Sequence, residues 1–223
     1  MRSFKEWTLA ALDRTFSLTV EDDSPVLKNW LSGQAEISAF EQEALDTFRS
    51  LLAVHVYDWN ETELAYNFIG PIMALVSFST KQFNFFAERP LSGTVDDVEM
   101  SGRPDGIIAS GFREPQQPYF CLQEYKREQD PDGDPAGQVL AAMLVAQEIN
   151  QHRFPVYGCY VKGEVWHFLV LQERVYAVSG GYLATRQADL HDIFKILKVL
   201  KTIIISFIKD AKQGAAGQWQ KQR

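Results

Sequence analysis

The sequence predicts an α/β fold in which a mixed central sheet is flanked by helices, with a helical extension in front and a long helix behind. Three observations carry this. Apolar residues recur at helical spacing in three stretches before residue 77, and again over 134–150 and 190–211. Short runs rich in β-branched and aromatic residues fill the interval from Phe83 to Val178. The two kinds of segment also alternate along the middle of the chain, the order that builds a sheet covered by helices. With 223 residues, 46% of them hydrophobic, the chain can bury one well-formed core. It has no internal repeat and no Ser- or Pro-rich linker. One domain over 1–212 is therefore expected, with 213–223 as a flexible tail.

Residues 1–57 read as a helical cap. Trp7, Leu9, Leu12 and Phe16 mark one helix, and Phe40, Leu45, Phe48, Leu51, Leu52 and Val54 another, with turn signals at Asp22-Asp23-Ser24-Pro25 and Leu31-Ser32-Gly33. The core, 58–162, opens with a helix from Glu61 to Val76 whose apolar face holds Leu64, Phe68, Ile69, Ile72, Met73 and Val76, and in which Pro71 marks a kink or an early stop. At about 100° per residue, Glu61 falls in the middle of that face and Glu63 on the far side. An acid on a packing face needs a partner.

Strands follow at Phe83–Phe86, at Asp105 with Ile107-Ile108-Ala109, and at Glu124 with Phe120-Cys121-Leu122. Alternation puts Glu124 and Lys126 on one face and Tyr125 on the other. After a polar loop over 127–134, Asp134-Pro135 is a helix start, an N-cap acid followed by proline at the first helical position. That helix runs to about Asn150, with Gln138 on the packing face of Ala142, Val145 and Ile149. Three more strands, at 156–161, 165–171 and 175–178, and a helix from about Leu190 to Ala211 complete the domain. The stretch 163–212 thus adds strands and a C-terminal helix to the core.

Composition excludes several classes. The net charge of −7 and pI near 5.2 argue against a protein that coats nucleic acid through a basic surface. Binding to DNA should be weak or partner-assisted, through a local basic rim. Cys121 and Cys159 lie in apolar surroundings and read as buried free thiols, which suits a reducing cytoplasm. The N-terminus has no signal-peptide pattern, and Lys195, Lys198, Lys201 and Lys209 interrupt the apolar run at 203–208, so no membrane association is expected. His55, His152, His167 and His191 are scattered and make no zinc spacing. Asp130-Pro131-Asp132-Gly133-Asp134 begins like a calcium loop, but Ala141 stands where a bidentate glutamate belongs, so a turn is read there. Walker-type and Gly-x-Ser-x-Gly loops are absent. Tyr119, Tyr125, Tyr157, Tyr160 and Trp166 suit strands, and packing is their default role over base stacking.

The chemistry concentrates in Asp105, Glu124 and Lys126. Alone, Pro104-Asp105-Gly106 is more often a turn, and a single Glu-x-Lys is more often the solvated face of an edge strand. Taken together they form a different pattern. Carboxylate oxygens suit a hard divalent cation, and a neighbouring ammonium steadies a water or a phosphate oxygen. Helix, strand, strand with Pro-Asp, strand with Glu-x-Lys, helix with Gln, strand: this order resembles the PD-(D/E)XK nuclease superfamily, the restriction-endonuclease-like fold, over residues 58–162 as an αβββαβ core.

The resemblance implies a metal-dependent nuclease that hydrolyses phosphodiester bonds in DNA. Asp105 and Glu124 would hold one or two divalent cations, commonly Mg2+ with Mn2+ as a substitute, and Lys126 would position or activate the attacking water. Glu61 would be the helix-borne acid that completes the metal shell, with Glu63 as the alternative, and Gln138 would support the catalytic site. The competing reading is a non-cleaving scaffold of the same fold that binds DNA or a protein. RNA as substrate has no discriminating module in the sequence. Beyond DNA, the reading admits a homodimer through the C-terminal helix and a protein partner for targeting.

Overall fold

The apolar runs between Phe83 and Val178 do pair into one mixed sheet, but the chain ahead of them is woven into it. A computed structural model describes residues 1–129 and 133–220, the last ten by backbone alone. The turn expected at Asp130 to Asp134 lies for the most part outside the described residues. The first segment comprises β1 (Arg2–Ser3), a 3-10 turn (Phe4–Glu6), α1 (Leu9–Phe16), β2 (Thr19–Val20), α2 (Pro25–Leu31) and α3 (Ala39–His55). Then come α4 (Glu61–Leu64), a π turn (Ala65–Ile69), α5 (Gly70–Val76) and β3 (Phe83–Ala87). The remainder is β4 (Leu91–Val95), β5 (Val98–Gly102), β6 (Gly106–Ser110), β7 (Gln116–Lys126), α6 (Pro135–Ile149), β8 (Val156–Lys162), β9 (Val165–Gln172), β10 (Val175–Val178), β11 (Tyr182–Leu183) and α7 (Gln187–Gln220).

The main sheet runs β2-β10-β9-β8-β7-β6-β3, with β11 added beside β9. Strand β8 is parallel to β7 and β10 is parallel to β2, while the other pairs are antiparallel. Parallel neighbours need a crossover, and α6 supplies it between β7 and β8. A smaller sheet, β1-β5-β4, is an element the sequence did not suggest. Its hairpin pairs Val95 with Val98, leaving a two-residue loop in which Asp96 (φ 45°) and Asp97 (φ 65°) are both left-handed. That is type I′ geometry, whose usual signal is Asn-Gly, and Asp-Asp carries it weakly.

Helix α6 lies between the two sheets and is buried without a break from Ala136 to Gln147. It packs on β7 and β8 to one side and on β4, β5 and the 3-10 turn to the other. A helix that is apolar nearly all round belongs in such a place. Gly137 permits the closest approach: a Cβ there would lie 2.6 Å from the Trp7 carbonyl oxygen and 2.7 Å from Thr8 Cα.

The opposite face of the main sheet is covered by α2, α3, α5 and α7, around Trp30, Leu45, Leu52, Phe68, Trp166 and Phe168. From α7, Leu190, Ile193, Phe194, Leu197, Leu200 and Ile204 enter this core at helical spacing. Trp30 Nε1 donates to the Ile196 carbonyl at 2.9 Å, Lys198 Nζ pairs with Glu41 at 2.9 Å, and Lys201 Nζ donates to the Val76 carbonyl at 3.0 Å. The apolar arc that suggested a dimer contact is thus largely occupied within the chain.

Several boundaries differ from those expected. The N-terminal segment contributes β1 and β2 as well as helices, so it is not a cap laid over a separate core. The helix begun at Glu61 does not stop at Pro71. A π turn precedes the proline, and Gly70 N–H donates to the Ala65 carbonyl five residues back before α5 continues to Val76. Helix α7 starts earlier than expected and runs through 213–220, where a tail was expected. Gly214 and Gly217 lie within it, and a glycine inside a helix costs only about 1 kcal/mol relative to alanine. Residues 221–223 lie outside the described chain. Among the described residues no helix is long and apolar enough to cross a membrane.

Candidate active site

Antiparallel register places the Pro104-Asp105 bend against the end of β7, because Gly106, the first residue of β6, pairs with Gln123. Asp105 therefore sits at the bend before β6 and not within a strand, as the sequence had suggested. The Tyr125 backbone N–H donates to Asp105 Oδ2 at 2.6 Å, fixing the carboxylate beside Glu124. Glu124 and Lys126 share one face of β7, the period of two placing them together as expected. Tyr125 and Gln123 point the other way, where the phenol donates to Gln123 Oε1.

Lys126 joins two acids. Its Nζ lies 2.8 Å from Glu124 Oε1 and 3.5 Å from Glu61 Oε2. Glu124 and Lys126 are 6% and 7% exposed, so this is a desolvated pair and not a surface one. Glu61 is the first residue of α4, just after the Asn60 N-cap, and its side chain is 41% exposed. Glu63 turns back to accept from the Asn60 N–H at 2.8 Å, completing a capping box. Of the two candidate helix acids, Glu61 is thus the one beside Lys126. Gln138 is 4% exposed, and its Oε1 has no hydrogen-bond partner among the described residues.

Asp105, Glu124, Glu61 and Gln138 line one cavity of about 310 Å³. Lys5, Glu88 and Arg103 line it as well, and sequence reasoning missed all three. Arg103 had a signal, its place directly before Pro104-Asp105. Lys5 comes from the N-terminal 3-10 turn and Glu88 follows β3 with a left-handed φ of 50°, and neither segment carries a motif.

Burial and like charge raise the proton affinity of Asp105 and Glu124. Asp105 is pushed up to about 7, first by desolvation and then by Glu124, against the pull of the Tyr125 N–H. Glu124 is raised by desolvation, with Lys126 opposing. Burial lowers the Lys126 ammonium's affinity for its proton, but Glu124, Glu61 and Asp105 outweigh it and the net shift is upward. The ammonium therefore stays charged. Asp105, Glu124, Glu61 and Glu88 are the carboxylates that line the cavity. Among the described residues, however, no three His, Cys, Asp or Glu side chains form a ready-made metal cage. Lys126 engages Glu124 instead, and a backbone N–H engages Asp105.

No family model matches the sequence, and no curated protein matches it. In structure the chain is similar to a chain of a cryo-EM structure of a DrdV–DNA complex, at 13% identity and a TM-score of 0.44. The similarity covers 72% of this chain and 14% of that one. A likeness of this degree assigns neither a fold family nor an activity.

Proposed function

We propose that the chain is a divalent-metal-dependent nuclease hydrolysing phosphodiester bonds in DNA, on a PD-(D/E)XK core made of α4–α5, β3, β6, β7, α6 and β8. The observation that carries this reading is the gathering of Asp105, Glu124 and Glu61 about one cavity, with Lys126 set between two of them. The donor set suits Mg2+ or Mn2+: all three groups are carboxylates, and burial together with the nearby Glu124 raises the proton affinity of Asp105. When bound, such a cation supplies a nucleophile at neutral pH and neutralises charge growing on the phosphoryl oxygens.

The chain's own groups do the rest. Asp105, Glu124 and Glu61 would hold the cation. The Lys126 ammonium, charged and nearly dry, would hold the attacking water or a phosphoryl oxygen in place. Gln138 offers beside the cavity a carbonyl oxygen with no partner among the described residues, suited to accept from that water. Lys5 and Arg103 give the rim two cations, the local basic patch that a chain of net charge −7 needs to meet a polyanion.

A second reading, a non-cleaving scaffold that binds DNA or a protein, is favoured by one feature: Lys126 already satisfies Glu124 without any metal. Calorimetric titration of Mg2+ and Mn2+ into wild-type protein and Glu124→Ala separates the two. The nuclease reading expects one specific site that the substitution weakens at least tenfold, whereas a scaffold shows no site that responds to Glu124.

A further inference from the structure

A second cavity, about 320 Å³, adjoins the first. It shares Glu61, Glu88 and Asp105 with it, so these three acids form a common wall. The two differ in chemistry. The first has Lys5, Arg103 and Gln138 around its carboxylates. The second is lined by Tyr66, Phe85, Tyr125 and Ile69. Each volume falls at the lower end of the range for small-ligand pockets.

Tyr66 is the informative residue. It lies in the π turn and is 77% exposed, so its ring does little for the core. π turns inside helices are frequent at functional sites. Phe85, from β3, also lines the cavity and is half-buried. Gly106, next to Asp105, allows Phe85 to approach the backbone, since a Cβ there would lie 2.7 Å from Phe85 Cε2. Aromatic side chains thus meet the candidate catalytic acids on one side and cationic ones meet them on the other.

Resting on the nuclease reading, we propose that one nucleotide lies across this shared wall, its phosphate among Lys5, Arg103 and Lys126 and its base against Tyr66 and Phe85. A base inside a duplex is stacked between its neighbours and cannot enter such a pocket without being extruded. The favoured substrate is therefore DNA unpaired at the scissile position: a single strand, a frayed end or a flap. Stacking accepts any base because each has a π face, so the pocket selects for strandedness and not for sequence.

The test measures binding of a fluorescent single strand and of the blunt duplex of the same sequence, in chelator so that nothing is cut, to wild type, Tyr66→Ala and Tyr66→Trp. Tyr66→Ala should weaken single-strand binding about 5- to 150-fold, the equivalent of the roughly 1–3 kcal/mol of one stacked base, and leave duplex binding unchanged. Tyr66→Trp should restore it. Equal loss on both substrates, or loss on neither, would overturn the proposal, as would an effect confined to binding between protein molecules. Cleavage with Mg2+ is scored separately on wild type and Tyr66→Ala. Cleavage that ignores Tyr66 sinks the base pocket alone, and absence of cleavage with Tyr66-dependent binding sinks the nuclease reading alone.

Discussion

At the scale of single residues, the site is governed by one ammonium shared by Glu124 and Glu61, with Asp105 held beside them by a backbone N–H. Replacing Lys126 by Met leaves Glu124 buried and unpaired, and removes the group proposed to hold the water. Cleavage should fall about 10²- to 10³-fold, as for loss of one preorganised electrostatic group. Single-turnover rates at saturating Mg2+ check this, with circular dichroism to confirm folding. Asp105 gives a pH prediction of definite sign. Its carboxyl titrates at 3.8 in its ordinary state and about 7 in the folded chain. The folded protein therefore keeps a proton that the unfolded chain releases between these values. The resulting stability is fully present below 3.8 and is lost as pH rises through about 7. In chelator, the wild-type Tm should fall relative to Asp105→Asn between pH 5 and pH 8, and Mg2+ should raise the wild-type Tm more at pH 8 than at pH 6. Parallel Tm profiles for the two proteins would contradict the assignment.

At the scale of elements, one cap organises the site's far wall. Asp134 Oδ1 accepts from the Gly137 N–H at 2.9 Å and Oδ2 from the Leu9 N–H at 2.8 Å, tying the start of α6 to the start of α1. Gln138 is the next residue along. Asp134→Ala should cost about 1–2 kcal/mol of stability, near the upper end for an N-cap because two donors are orphaned, and thermal denaturation measures it. This start was readable because Asp-Pro is a local signal. The Glu124–Lys126 pairing was readable for the same reason, since a period of two is fixed within one strand. What joins Asp105 to them is the pairing of Gly106 with Gln123, and no local pattern encodes a register across fifteen or more residues. The strands β1, β2 and β11, two residues each, exist only through their partners and left no trace in hydrophobic period. Lys5 reaches the cavity from the 3-10 turn after β1, while Glu88 and Arg103 reach it from the connections that follow β3 and β5. Position along a face was legible; convergence was not.

At the scale of the whole molecule, an acidic chain must find a polyanion through a small cationic rim. Affinity for DNA should therefore be modest and steeply weakened by salt, with few phosphates engaged. Lys5→Ala and Arg103→Ala should each lower the magnitude of the log–log salt slope by about 1 if each meets one phosphate, which fluorescence anisotropy across a salt series reads out. A slope unchanged in both would remove them from the interface. The central claim is cleavage itself, and the direct measurement incubates linear, circular and single-stranded DNA with wild type, Asp105→Ala and Lys126→Ala, in Mg2+, Mn2+ or chelator. The account predicts metal-dependent cutting by wild type, none in chelator and none by Asp105→Ala. Metal-dependent cutting retained by a folded Asp105→Ala protein, or no cutting by wild type under any of these conditions, would contradict it.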